Sequence, residues 1–155
     1  MLKLIVLTVA LMAAALPALS QESVATVGDL TVIHAWARAA ASGSETLVFM
    51  EIENAGAMDR LMGGETPVAD AVHVVGLSLS GAEISVEEVG PVEIVPGEFV
   101  LDPGGLALEL HSLREPLVEG ERFTMIVLFE RAGPVTLDVE IAAADATADG
   151  HHHHH

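Results

Sequence analysis

The sequence contains no cysteine, which removes disulfides, thiolate metal ligands and cysteine nucleophiles together. Any soft-metal chemistry therefore falls to histidine and methionine. Aromatic residues make up only 3% of the chain, too few for a platform on which bases or sugar rings stack. Positive charge is nearly as scarce. The only lysine is Lys3, so the rest of the chain sets Arg38, Arg60, Arg114, Arg122 and Arg131 against 23 acidic residues. A net charge of −17 repels phosphate backbones and anionic membranes, so nucleic acid is excluded as a partner. It serves solubility, notably in salty surroundings, and it attracts cations or a basic partner.

Long apolar runs are missing everywhere except at the start. Met1-Leu2-Lys3 supplies one positive charge, Leu4 to Leu16 is almost unbroken apolar sequence, and Pro17-Ala18-Leu19-Ser20 ends in small residues. This is the pattern of a secretory signal peptide over residues 1–20, cut after Ser20. The apolar run is shorter than the roughly 20 residues of a membrane anchor. The expectation is an exported, periplasmic protein with no membrane contact after cleavage. Residues 21–141 have the size of one domain with a core of its own.

Enzyme signatures are absent as well. Ser42-Gly43-Ser44 and Ser78-Leu79-Ser80 have no nearby His and Asp arranged as a triad, and the carboxylates are spread rather than paired. Gly63-Gly64 lies between strand-like segments with no following lysine, unlike a phosphate-binding loop. The chain is read as a non-enzyme.

What is present is a period of two. Thr46 to Glu53, Ala82 to Val86, Val89 to Val95, Phe123 to Glu130 and Val135 to Ile141 read as strands. Turn signals separate them at Asn54-Ala55-Gly56, Gly63-Gly64, Ser80-Gly81, Pro96-Gly97, Asp102 to Gly105, Glu119-Gly120 and Ala132-Gly133-Pro134. No helix longer than a turn or two is required, and the spacing predicts an all-β antiparallel sandwich. Residues 142–155 are a small, polar, flexible tail that ends in His151, His152, His153, His154 and His155. That run is either a purification tag or a native metal-capturing arm.

Several segments carry a resemblance. They are Val32-Ile33-His34-Ala35-Trp36-Ala37-Arg38-Ala39, Glu51 to Gly56, Asp59-Arg60-Leu61-Met62-Gly63, Thr66-Pro67-Val68-Ala69, Val92 to Gly97, Pro103-Gly104-Gly105, Leu113 to Glu121, and Phe129 to Gly133. In this order they resemble the PCuAC family of periplasmic copper chaperones. The resemblance implies a single-domain, cupredoxin-like Greek-key β-sandwich. It also implies copper as cargo and cytochrome oxidase assembly proteins, around the CuA centre, as partners.

The usual ligands of that family are two His and two Met. By the resemblance, the first His falls at Val75 and the His-x-Met pair at Ala107 and Glu109, and no methionine lies between Met62 and Met125. Loss of thioethers lowers preference for Cu(I). His73 stands two residues before Val75, and His111 four after Ala107. Even shifts along a strand keep one face. His73, His111, Glu109 and Glu83 are thus the expected ligands of a displaced site, suited to copper of either oxidation state, Cu(II) better than Cu(I), and to zinc. The alternative is a pair of ordinary strand histidines on a metal-free module that binds a protein partner. Met58 and Met62 are read as loop residues near a site mouth, Met50 and Trp36 as core, and His34 as a turn or surface residue. Arg38 is expected to pair with a carboxylate.

The signal-peptide reading predicts that the exported protein begins at Gln21, which intact-mass measurement of the secreted form checks directly.

Overall fold

The computed structural model describes residues 23–147, so the expected signal peptide over residues 1–20 and the histidine run lie outside the described residues. Eleven strands make up the chain: β1 (Val24–Val27), β2 (Leu30–Arg38), β3 (Thr46–Asn54), β4 (Asp59–Glu65), β5 (Ala69–Ser80), β6 (Glu83–Glu88), β7 (Val92–Ile94), β8 (Gly97–Leu101), β9 (Leu106–Leu113), β10 (Arg122–Phe129) and β11 (Gly133–Ala142). The strand order is β6-β5-β9-β3-β2-β11-β10-β4-β7, with β1 on β2 and β8 on β3. All pairings between these strands are antiparallel except β11 with β2. The sheet curls so that the β5-β9-β3-β2 half faces the β11-β10-β4 half across a core. That core includes Leu30, Val32, Val48, Met50, Ile52, Leu61, Leu108, Leu110, Met125, Val127 and Val139. This is the all-β, cupredoxin-like sandwich expected.

Strand β2 carries the main irregularity. Ile33 pairs with Glu51 but Trp36 pairs with Phe49, so β2 has one residue more than β3 between these points. The extra residue is accommodated at His34, whose φ is 56° and whose N–H donates to the Ser23 carbonyl at 3.0 Å. Such a bulge inverts the facing of everything beyond it. Leu30 and Val32 face the core before it, and Ala35 and Ala37 after it, so Trp36 turns to the outer face. His34 is therefore a residue inside a strand. Trp36 anchors a second cluster with Phe49, Val75, Ala107 and Ala142 rather than the main core.

Two other expectations change. Gly63-Gly64 is not a turn but part of β4. Gly63 has a φ of 136°, where β4 and β10 slip register, and a Cβ on Gly64 would sit 2.6 Å from the Ile126 carbonyl oxygen. Glycine is needed there for close approach within a strand. The segment from Val89 to Val95 is not one strand, because Gly90, at a φ of 70°, and Pro91 interrupt it and leave only Val92–Ile94 paired. By contrast, Asn54 closes the β3–β4 turn as its sequence signalled. Its amide donates to the carbonyls of Ala57 and Ile94, and its oxygen accepts from the Gly56 N–H.

Asp59, buried at the start of β4, ties that strand to the β10–β11 turn. Oδ1 accepts from the N–H of Arg60 at 2.7 Å and of Arg131 at 2.8 Å, and Oδ2 accepts from the Ala132 N–H at 2.9 Å. Burial alone raises this carboxyl. The three backbone donors and the Arg131 charge outweigh that effect and hold it below the ordinary aspartate value. A lowered folded value gives stability that is complete above the unfolded value and is lost as pH falls through the folded one. Asp59→Ala leaves three donors without their acceptor and is expected to cost about 3 kcal/mol. Denaturant unfolding at pH 7 and again near pH 3 checks this, with the wild-type advantage shrinking at the acid end.

Candidate metal centre

The site follows from the register of three neighbouring strands. In β5 and β9, Val75 lies opposite Ala107, His73 opposite Glu109, and Ala71 opposite His111. On the other side of β9, Leu47 of β3 lies opposite Glu109, and Thr46 opposite Leu110. Opposite residues share a face, so three rows cross the outer face of the sheet. The first is apolar and contains Val75, Ala107, Phe49 and Trp36. The second holds His73, Glu109 and Leu47. The third holds Ala71 and His111, with Glu45 just before β3. The pairing of β5 with β9 is continuous in register from Ala71 to Gly76, which brings His73 and His111 onto one face as the sequence implied.

The two imidazoles meet edge to face, with ring centroids 4.7 Å apart. His111 Nε2 lies 2.7 Å from Glu109 Oε1 and its Nδ1 lies 3.0 Å from Glu45 Oε1. His73 Nδ1 lies 3.4 Å from Glu88 Oε1, contributed by β6. Ligand atoms of Glu45, Glu109 and His111 all fall within 4.8 Å of one another.

Charge decides what this arrangement demands. A neutral imidazole has one N–H and one lone pair, so it donates to only one of two carboxylates. The other contact then sets a lone pair against an anionic oxygen. The cluster is balanced only when it takes up a further positive charge, as a proton or a cation. Glu109 is 8% exposed, and burial raises its carboxyl above the ordinary value. Glu45 and Glu88 add to that rise, while His111 and His73 oppose it.

Glu83, by contrast, is not brought to the site. It pairs with Ser80 at the tip of the β5–β6 hairpin, seven residues along β5 from His73, roughly 23 Å at strand rise. The carboxylate that β6 supplies is Glu88, and a second comes from Glu45. Alternation could have found Glu45, because it precedes Leu47 by two on the same face. Glu88 depended on the hairpin register, which no residue pattern announces. Met58 and Met62 sit before and on β4, in the other half of the sandwich, and are exposed. Among the described residues, Arg38 is placed against no carboxylate. Its Nε donates to the Ala146 carbonyl at 3.0 Å, and its guanidinium lies 5.4 Å from the Phe49 ring centre.

The positions Val75 and Ala107 are 1% and 0% exposed. They are packed with Trp36, Phe49, Leu47, Leu77 and Ala146, and neither offers a ligand atom.

The LpqE-like family, described as "Putative lipoprotein LpqE-like", matches residues 30–141. The chain belongs to this family. Among solved structures it is similar to the apo PCuAC domain from PmoF1, at 29% identity and a TM-score of 0.65, covering 77% of this chain and 98% of that one. It is similar to the copper-bound PCuAC domain from PmoF2, at 25% identity and a TM-score of 0.64, covering 77% and 97%. The apo form of the PmoF2 domain matches at 26% identity and a TM-score of 0.64, covering 80% and 98%. No curated protein matches the chain.

The raised Glu109 carboxyl is open to measurement in the metal-free protein. Carbon-detected NMR titration is expected to place it above the ordinary glutamate value, and higher still in His111→Ala, which removes an opposing charge. A raised folded value means that this carboxyl's contribution to stability is greatest at low pH and is lost as pH climbs through that value. Glu109→Gln should therefore gain on wild type as pH rises.

Proposed function

We propose that the mature protein is an exported metal carrier of the periplasmic copper-handling machinery, with its metal held by His73, His111, Glu109, Glu45 and Glu88. The observation that carries this reading is His111, whose two ring nitrogens both face carboxylate oxygens. The kinship to copper-binding PCuAC domains supplies the context. Imidazole and carboxylate donors without thiolate or thioether favour Cu(II) or zinc over Cu(I). The cargo is therefore expected to differ in oxidation state or identity from that of a His and Met site. The chemistry is capture and release rather than catalysis, and the recipient is a cytochrome oxidase assembly protein. Export rests on the signal-like first 20 residues and on kinship to a lipoprotein family.

A second reading has its own support. The apolar row through Val75 and Ala107 occupies the place where the family resemblance puts ligands, and a scaffold so filled could serve as a metal-free module that binds a protein.

Metal titration separates the two. The mature chain ending at Gly150 removes competition from the five tail histidines. It is expected to bind one Cu(II) or zinc ion against a competing chelator and to bind Cu(I) more weakly. His73→Ala with His111→Ala should abolish binding, and Glu88→Gln should weaken it about tenfold. Equal chelator competition by wild type and the double variant would leave the interaction module as the function.

A further inference from the structure

Strand β6 ends the sheet and pairs only with β5 among the described strands. All six of its residues are exposed. Its two faces differ sharply. Ile84 lies opposite Leu79 and Val86 opposite Leu77, on the face shared with Val75 and His73. Leu79, Ile84 and Val86 are 74%, 50% and 42% exposed, so an apolar strip leads from the hairpin tip toward the His73–Glu88 pair. The opposite face carries Glu83, Ser85 and Glu87, beside Ser78 and Ser80. Ser78 and Ser85 are hydrogen-bonded to each other at 2.7 Å.

An open edge of this kind invites another strand, through unpaired backbone groups and alternating side-chain contacts. Its charge selects which strand. A second copy paired antiparallel about Ser85 would set Glu83 of each β6 against Glu87 of the other, and like charges directly opposite destabilise a pair. The net charge of −17 adds to that repulsion. It also turns away an anionic membrane. A strand with apolar residues at every second position and Lys or Arg between them answers both faces at once. Its apolar side continues Ile84 and Val86, and its basic side meets Glu83 and Glu87.

We propose that the outer edge of β6 is a docking site for an extended, basic and apolar alternating segment of a partner protein, which adds as a strand beside the metal cluster. Docking needs no bound metal, although Glu88 belongs to both surfaces. The segment would thus sit within reach of the cargo at the moment of transfer.

The test uses the mature protein and three capped seven-residue peptides with alternating Lys and Val, Glu and Val, or Lys and Ser. Binding is read by backbone NMR. The expected result is that only the Lys–Val peptide shifts and protects the amides of residues 83–88. Ile84→Asp with Val86→Asp should weaken it at least tenfold with the rest of the spectrum unchanged. Glu83→Lys with Glu87→Lys should transfer the preference to the Glu–Val peptide, so the proposal does not rest on a loss alone. Unchanged peptide binding in the His73→Ala, His111→Ala protein would keep docking separate from metal carriage, whichever way the metal titration falls. The proposal is overturned if no peptide perturbs residues 83–88, or if the Glu–Val peptide binds wild type equally well. It is overturned too if sedimentation shows the chain dimerising through this edge, or if vesicles of phosphatidylcholine and phosphatidylglycerol bind it instead.

Discussion

The register of β5 on β9 on β3 is the constraint on which the rest of the molecule's character depends. Three adjacent strands held in step convert linear spacing into rows, and each row has one chemistry. Apolar residues occupy the row nearest the tryptophan, and imidazoles with carboxylates occupy the two rows beyond it. A slip of one residue in β9 would send Glu109 and His111 into the sandwich core and turn Leu108 and Leu110 outward. The burial of those two leucines, both fully enclosed, therefore fixes the polar site as firmly as any contact within it.

That arrangement explains how so acidic a chain can keep a concentrated cluster of carboxylates. Glu109 is stripped of much of its water, and two further carboxylates face the same histidines. Such a cluster is unfavourable unless positive charge arrives. The imidazoles supply part of it when protonated, and a divalent ion supplies more. The site thus has a built-in appetite for cations, and long-range attraction from the rest of the negative surface raises their local concentration.

Much of the fold was legible in the residues. Period-two alternation, glycine and proline punctuation and the PCuAC-like segments led to an all-β sandwich, and the structure has that architecture. His73, His111 and Glu109 came together because their separations are even and no bulge interrupts the pairing of β5 with β9. The failures share a cause. Glu83 was assigned by proximity in sequence to a vacant ligand position, whereas a hairpin places Glu88, not Glu83, beside β5 at Val75. Gly63-Gly64 looked like a turn because the same residue type serves turns and close strand contacts. The outward facing of Trp36 was hidden in one residue, His34, whose left-handed backbone changes the parity of the strand without any hydrophobic cue.

The bulge at His34 also bears on how this protein could have diverged. Because it turns Trp36 outward onto Phe49, the rows of imidazoles and carboxylates adjoin a patch that the main core does not share. Substitutions there exchange one set of donors for another while the interior that holds the domain together is untouched. A lineage can change the chemistry of this face along a path on which every intermediate still folds.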